Sequence, residues 1–74
     1  MIREDKQAIV KKLSDTLVLT REDIVDLKYY VSDSGSEFVD VFYENGFKKT
    51  ANVSMDSGIA LIRDVLKICS DWDW

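Results

Sequence analysis

Asn45-Gly46, set between two runs of alternating apolar residues, constrains this chain more than any other feature. An Asn-Gly pair favours a tight turn because positive φ costs glycine nothing and asparagine little, so the flanking runs read as an antiparallel hairpin. We expect strands over 37–44 and 47–53. With a two-residue turn, Phe42 faces Lys49 and Phe38 faces Val53. Phe38, Phe42, Phe47, Ala51 and Val53 then share the core face, and Val39, Val41, Tyr43, Lys48, Thr50 and Asn52 lie on an open one. Upstream, Val25, Leu27, Tyr29 and Val31 alternate with Asp26, Lys28, Tyr30 and Ser32. That is a strand period over 24–32, although Ile24, Leu27 and Val31 also fit a helical stripe. β-Branched and aromatic richness favours the strand. Ser32–Ser36 reads as the turn between the first two strands.

The hairpin is bracketed by segments of helical period. Ile2, Ile9, Leu13 and Leu17 place a helix over 3–17, with lysines largely off the stripe. Met55, Ile59, Ile62, Leu66 and Cys69 place another over 56–70, capped by Ser54 or Asp56, with Leu61, Val65 and Ile68 widening its apolar side. The tail at 71–74 holds Trp72 and Trp74. Trp72 extends the helical stripe. Trp74 either docks on a partner or a second copy, folds back on the domain edge, or is disordered. The expected fold is α+β, a two-layer three-stranded antiparallel β-meander flanked by N- and C-terminal helices (αβββα), with both helices on one face. Seventy-four residues make a single domain. A chain this short buries only about 60% of its unfolded surface.

Chemistry is sparse. Histidine is absent, and Cys69 is the only cysteine. The usual general base and metal ligand is therefore missing, and no intramolecular disulfide can form. Cys69 sits on an apolar stripe and reads as an inert core residue. Asp33-Ser34-Gly35-Ser36-Glu37 lacks calcium-loop spacing and reads as a turn. We expect no catalytic residues, no metal and no cofactor. The longest apolar runs fall short of about 20 residues, so no membrane span is expected. The charged N-terminus and single cysteine point to the cytoplasm.

The net charge of −4 is unevenly spread. Arg3, Lys6, Lys11 and Lys12 against Glu4 and Asp5 leave residues 1–14 at +2. Eight acids against Arg21 and Lys28 leave residues 15–44 at −6. Four residues of each sign leave 45–74 neutral. Within the acidic block, Glu22, Asp23, Asp26, Asp33, Glu37, Asp40 and Glu44 are candidate contacts for a protein with a basic surface, and Trp74 and Tyr43 are candidate aromatic anchors. The plainer alternative is a solvated surface that keeps a small protein soluble. Direct nucleic-acid binding is disfavoured because phosphates would repel the block.

In size, charge and element order the chain resembles the small acidic inhibitors of phages and mobile elements, anti-CRISPR proteins among them. That resemblance implies a stoichiometric inhibitor of a nucleic-acid-binding protein, acting by nucleic-acid mimicry. The alternative is a structural domain that forms a homodimer through an edge strand or the open sheet face, where Val39, Val41 and Tyr43 would matter.

Overall fold

The computed structural model describes residues 3–69, and the tail with Trp72 and Trp74 lies outside them. The element order is α1 (Arg3–Thr20), β1 (Ile24–Val31), β2 (Glu37–Tyr43), β3 (Lys48–Asn52) and α2 (Gly58–Cys69). The strands form one antiparallel sheet in the order β1-β2-β3. The α+β meander with a helix at each end is therefore the fold. α1 lies against β1 and α2 against β3, and the helices also touch each other. The core of Val10, Leu17, Ile24, Leu27, Val39, Val41, Ala51, Val53, Leu61, Val65 and Cys69 draws on both helices and a single sheet face. Among the described residues no element covers the other face.

The expected assignment of sheet faces is reversed for β2. Val39 and Val41 are 0% exposed, whereas Phe47 is 71% exposed. The cause is a register one residue away from the expected one: Phe42 pairs with Lys48 and Phe38 with Asn52. Tyr43 N–H donates to Phe47 O at 2.9 Å and Gly46 N–H to Tyr43 O at 3.0 Å, so the loop is Glu44-Asn45-Gly46, three residues long. A two-residue type I′ turn needs positive φ at both central residues, but of these only Gly46 has it, at 91°. Because side chains alternate with period two, one residue of slip exchanges the faces of a whole strand. The β1–β2 hairpin repeats this geometry. Ser32 N–H donates to Ser36 O at 2.8 Å, and Gly35 has φ 90°.

The helices also differ from expectation in detail. α1 runs on to Thr20, and Arg21 N–H still donates to Leu17 O at 2.8 Å. The buried stripe of α2 is Leu61, Val65 and Cys69, one helical face away from the expected one. Met55 is 95% and Ile59 75% exposed. The cap of α2 is Ser57, whose Oγ accepts the Ala60 N–H at 3.4 Å. Ser54 instead joins the strand ends, its Oγ accepting the Glu37 N–H at 2.7 Å.

One buried cation ties the layers together. Lys6 lies on the Val10–Leu17 side of α1 and is 3% exposed. Its Nζ donates to Glu37 Oε1 at 2.6 Å and to Val53 O at 2.9 Å. α1 is thereby fastened to the start of β2 and to the exit of β3. Removing one member of a buried ion pair strands the other charge, so Lys6→Ala is expected to cost about 3 kcal/mol. Lys6→Met combined with Glu37→Leu, which removes both charges, is expected to cost less than Lys6→Ala alone. Urea denaturation of the two variants tests this. A loss in Lys6→Ala below about 1 kcal/mol, the range of surface pairs, would contradict the assigned burial.

Candidate functional site

The candidate acids do not form one surface. Four of the seven take part in the fold's own contacts. Glu37 is bound to Lys6, and Asp26 Oδ1 accepts from Ser14 Oγ at 3.2 Å. That Ser14 Oγ also accepts the Leu27 N–H at 3.1 Å, so Ser14 and Asp26 together close part of the outer edge of β1. A bulge between Ile24 and Asp26 turns Asp26 towards α1. Asp23 is gripped by Arg21 through two bonds, Nε to Oδ1 at 3.0 Å and Nη2 to Oδ2 at 2.8 Å. That guanidinium holds the Asp23 carboxyl below its ordinary value, and the contact raises Arg21 in turn.

Asp40 lies at the centre of the uncovered sheet face, yet it is only 7% exposed. Thr50 Oγ1 donates to its Oδ1 at 2.6 Å, and Lys48 Nζ stands 3.8 Å from its Oδ2. The rest of that face is similarly self-paired. The Tyr30 and Phe38 rings stack with centroids 5.4 Å apart, and Lys28 Nζ sits 6.0 Å from the Phe42 ring centroid. Ring faces covered in this way leave little room for a nucleobase to stack.

Glu22, Asp33 and Glu44 are the candidates that remain exposed, and none of their carboxylates makes a hydrogen bond or ion pair among the described residues. The fold separates them. The Glu44 N–H donates to Asp23 O at 3.0 Å, which sets Glu22, Asp23 and Glu44 at one end of the sheet. Asp33 is in the turn at the other end, roughly 25 Å away along β2. That exceeds the screening length of about 8 Å at physiological salt, so the two ends act separately on a partner.

Tyr43 is half-buried and packs against the core, on the helix-covered side of the sheet beside Cys69. Burial pushes its phenol up to about 12 and also pushes the Cys69 thiol up, which keeps that thiol protonated at neutral pH. Trp74 lies outside the described residues.

Sequence reasoning missed two clusters. Lys6 with Glu37 is one. The other is at the start of α2, where burial first, and then the neighbouring Asp64, raise the Asp56 carboxyl. Among the described residues no group of three or more Cys, Asp or Glu is arranged to hold a metal ion, and no helix is long and apolar enough to cross a membrane. No protein-family model matches the chain, and comparison with curated proteins and with solved structures finds no match.

The Tyr43 environment predicts a specific alkaline response. The phenol's ordinary value is 10.0 and its folded value about 12, so the unfolded chain gives up this proton first as pH rises. The stabilising contribution is therefore complete below pH 10 and is lost between about 10 and 12. Denaturation midpoints across that window are expected to fall less steeply for Tyr43→Phe than for the parent. Parallel curves would contradict the burial of the hydroxyl.

Proposed function

We propose that this protein is a non-enzymatic, stoichiometric binding module of the cytoplasm whose acidic loops engage a basic protein partner. The observation that supports this reading is the division among the acids. Asp23, Asp26, Glu37 and Asp40 are bonded within the fold, while the carboxylates of Glu22, Asp33 and Glu44 stand on turns with no partner among the described residues. Exposed carboxylates on turns act through long-range attraction, which raises the rate of encounter with an oppositely charged surface. A nucleic-acid-binding protein offers such a surface, and occupying it is the inhibitory mode of some members of the phage-encoded class that the chain resembles. Two acidic ends roughly 25 Å apart fit an extended basic groove better than a single basic pocket.

A homodimer through the uncovered sheet face is the second reading. The residues available for it are Tyr30, Phe38 and Phe42, since Val39 and Val41 are buried and Tyr43 faces the helices. Three strands about 4.8 Å apart and some 20 Å long present roughly 300 Å². A stable interface takes about 800 Å² from each partner, so this face alone falls short.

The test is capture of partners from a cell lysate on the immobilised chain, with affinity then measured for the protein recovered. Raising salt from about 0.05 M to about 0.5 M is expected to weaken binding at least tenfold. Glu22→Lys, Asp33→Lys and Glu44→Lys combined are expected to do the same at low salt. Binding indifferent to both changes would overturn the acidic-loop reading, and a concentration-dependent dimer in sedimentation would favour the second.

A further inference from the structure

The outer edge of β3 is open among the described residues. The phase of the β2–β3 ladder follows from its two ends, where Tyr43 N–H donates to Phe47 O at 2.9 Å and Val53 N–H to Glu37 O at 2.8 Å. Bonded and non-bonded pairs alternate between them, so the backbone N–H and C=O groups of Lys48, Thr50 and Asn52 point away from β2. All three residues are exposed, and none of these backbone groups meets a hydrogen-bond partner among the described residues. Such a row is a template for another strand, and proteins commonly guard it with lysines. Here both lysines are turned to the faces and engaged within the chain. Lys48 Nζ stands 3.8 Å from Asp40 Oδ2, and Lys49 Nζ donates to Ile68 O at 3.1 Å.

The order Lys48-Lys49-Thr50-Ala51-Asn52 suits an antiparallel copy of itself. With Thr50 opposite Thr50 of the copy, Lys48 faces Asn52 and Lys49 faces Ala51. No lysine then opposes a lysine, and Lys48, Thr50 and Asn52 all exchange backbone bonds with the copy. Moving the copy by two residues sets Lys49 against Lys49 or Ala51 against Ala51, and leaves Asn52 or Lys48 without a partner in β3 of the copy. Moving it by one sets the outward groups against residues whose backbone already bonds β2. We infer that the edge of β3 is the docking site of a second copy of this chain, paired antiparallel about Thr50 so that the two sheets become one. The pairing closes at two copies, because the outer edge of β1 lies against α1 and its Leu27 N–H is taken by Ser14 Oγ. The 5 residues of β3 make an edge about 17 Å long, well short of a permanent interface, so the dimer is weak and reversible. It uses neither the open sheet face nor the acidic loops.

Sedimentation equilibrium of the full chain from about 10 µM to about 1 mM, in about 0.05 M salt, is expected to show a reversible monomer–dimer equilibrium. Asn52→Asp sets a carboxylate opposite Lys48 of the copy and is expected to tighten the dimer about threefold. Asn52→Lys sets a like charge there and is expected to weaken it about threefold. Net charge alone acts in the opposite sense, since the chain already stands at −4. Tyr30→Ala, on the open face of β1, is expected to leave the dimer unchanged, which separates this edge from a dimer through that face. Asn52 and Tyr30 are exposed, and far-UV circular dichroism of each variant confirms that the fold is kept. A monomer across the whole concentration range would overturn the edge dimer. So would a dimer that Tyr30→Ala disrupts, or one whose Asn52 variants follow net charge or match the parent.

Discussion

Gly46, at a φ of 91°, sets which half of the sheet is inside. With a three-residue loop, Val39, Val41 and Tyr43 turn towards the helices and Phe38, Asp40 and Phe42 turn away. Glu37 shares the inward parity, and that is what brings its carboxylate to Lys6. Were β2 shifted by one residue, Glu37 would face water and Lys6 would have no carboxylate to meet in the interior. The hydrophobic core and the buried ion pair therefore depend on the same backbone constraint.

The register also decides what the charge of the chain can do. A sequence block at −6 suggests a continuous acidic surface. In the fold, inward parity carries half-buried Glu37 to Lys6, outward parity places Asp40 beneath Thr50 and Lys48, and the β1 bulge turns Asp26 to Ser14. Buried or bonded carboxylates contribute to folding and specificity of packing, and they project little field into solvent. The long-range field comes from turn residues, which the meander places at opposite ends. A partner would therefore meet two acidic points with an aromatic sheet face between them.

The element types and their order were legible because period-2 and period-3.6 patterns are strong in this chain. The faces of β2 were not, because Phe38 and Phe42 are as apolar as Val39 and Val41, and alternation cannot rank two apolar faces. Asn-Gly closes hairpins through loops of two or three residues, and these differ by one step of register. The α2 stripe was ambiguous for a similar reason: Ile59, Ile62 and Leu66 compete with Leu61, Val65 and Ile68, and only packing against β3 chooses. Lys6 was legible in principle. It falls on the stripe of Val10, Leu13 and Leu17, where a lysine calls for a buried carboxylate or carbonyl partner. For the candidate site, exposure of Glu22, Asp33 and Glu44 followed from their place in turns, whereas capture of the other acids depended on tertiary neighbours.

The account rests most heavily on the register of the β2–β3 hairpin, and nuclear Overhauser contacts between α-protons across the two strands test it directly. α-Protons approach most closely in the pairs that exchange no backbone hydrogen bonds. The structure predicts strong contacts for Asp40 with Thr50 and for Phe42 with Lys48. Strong contacts for Tyr43 with Lys48 and for Val41 with Thr50, the non-hydrogen-bonded pairs of a two-residue loop, would instead place Phe38 and Phe42 in the core and contradict the account.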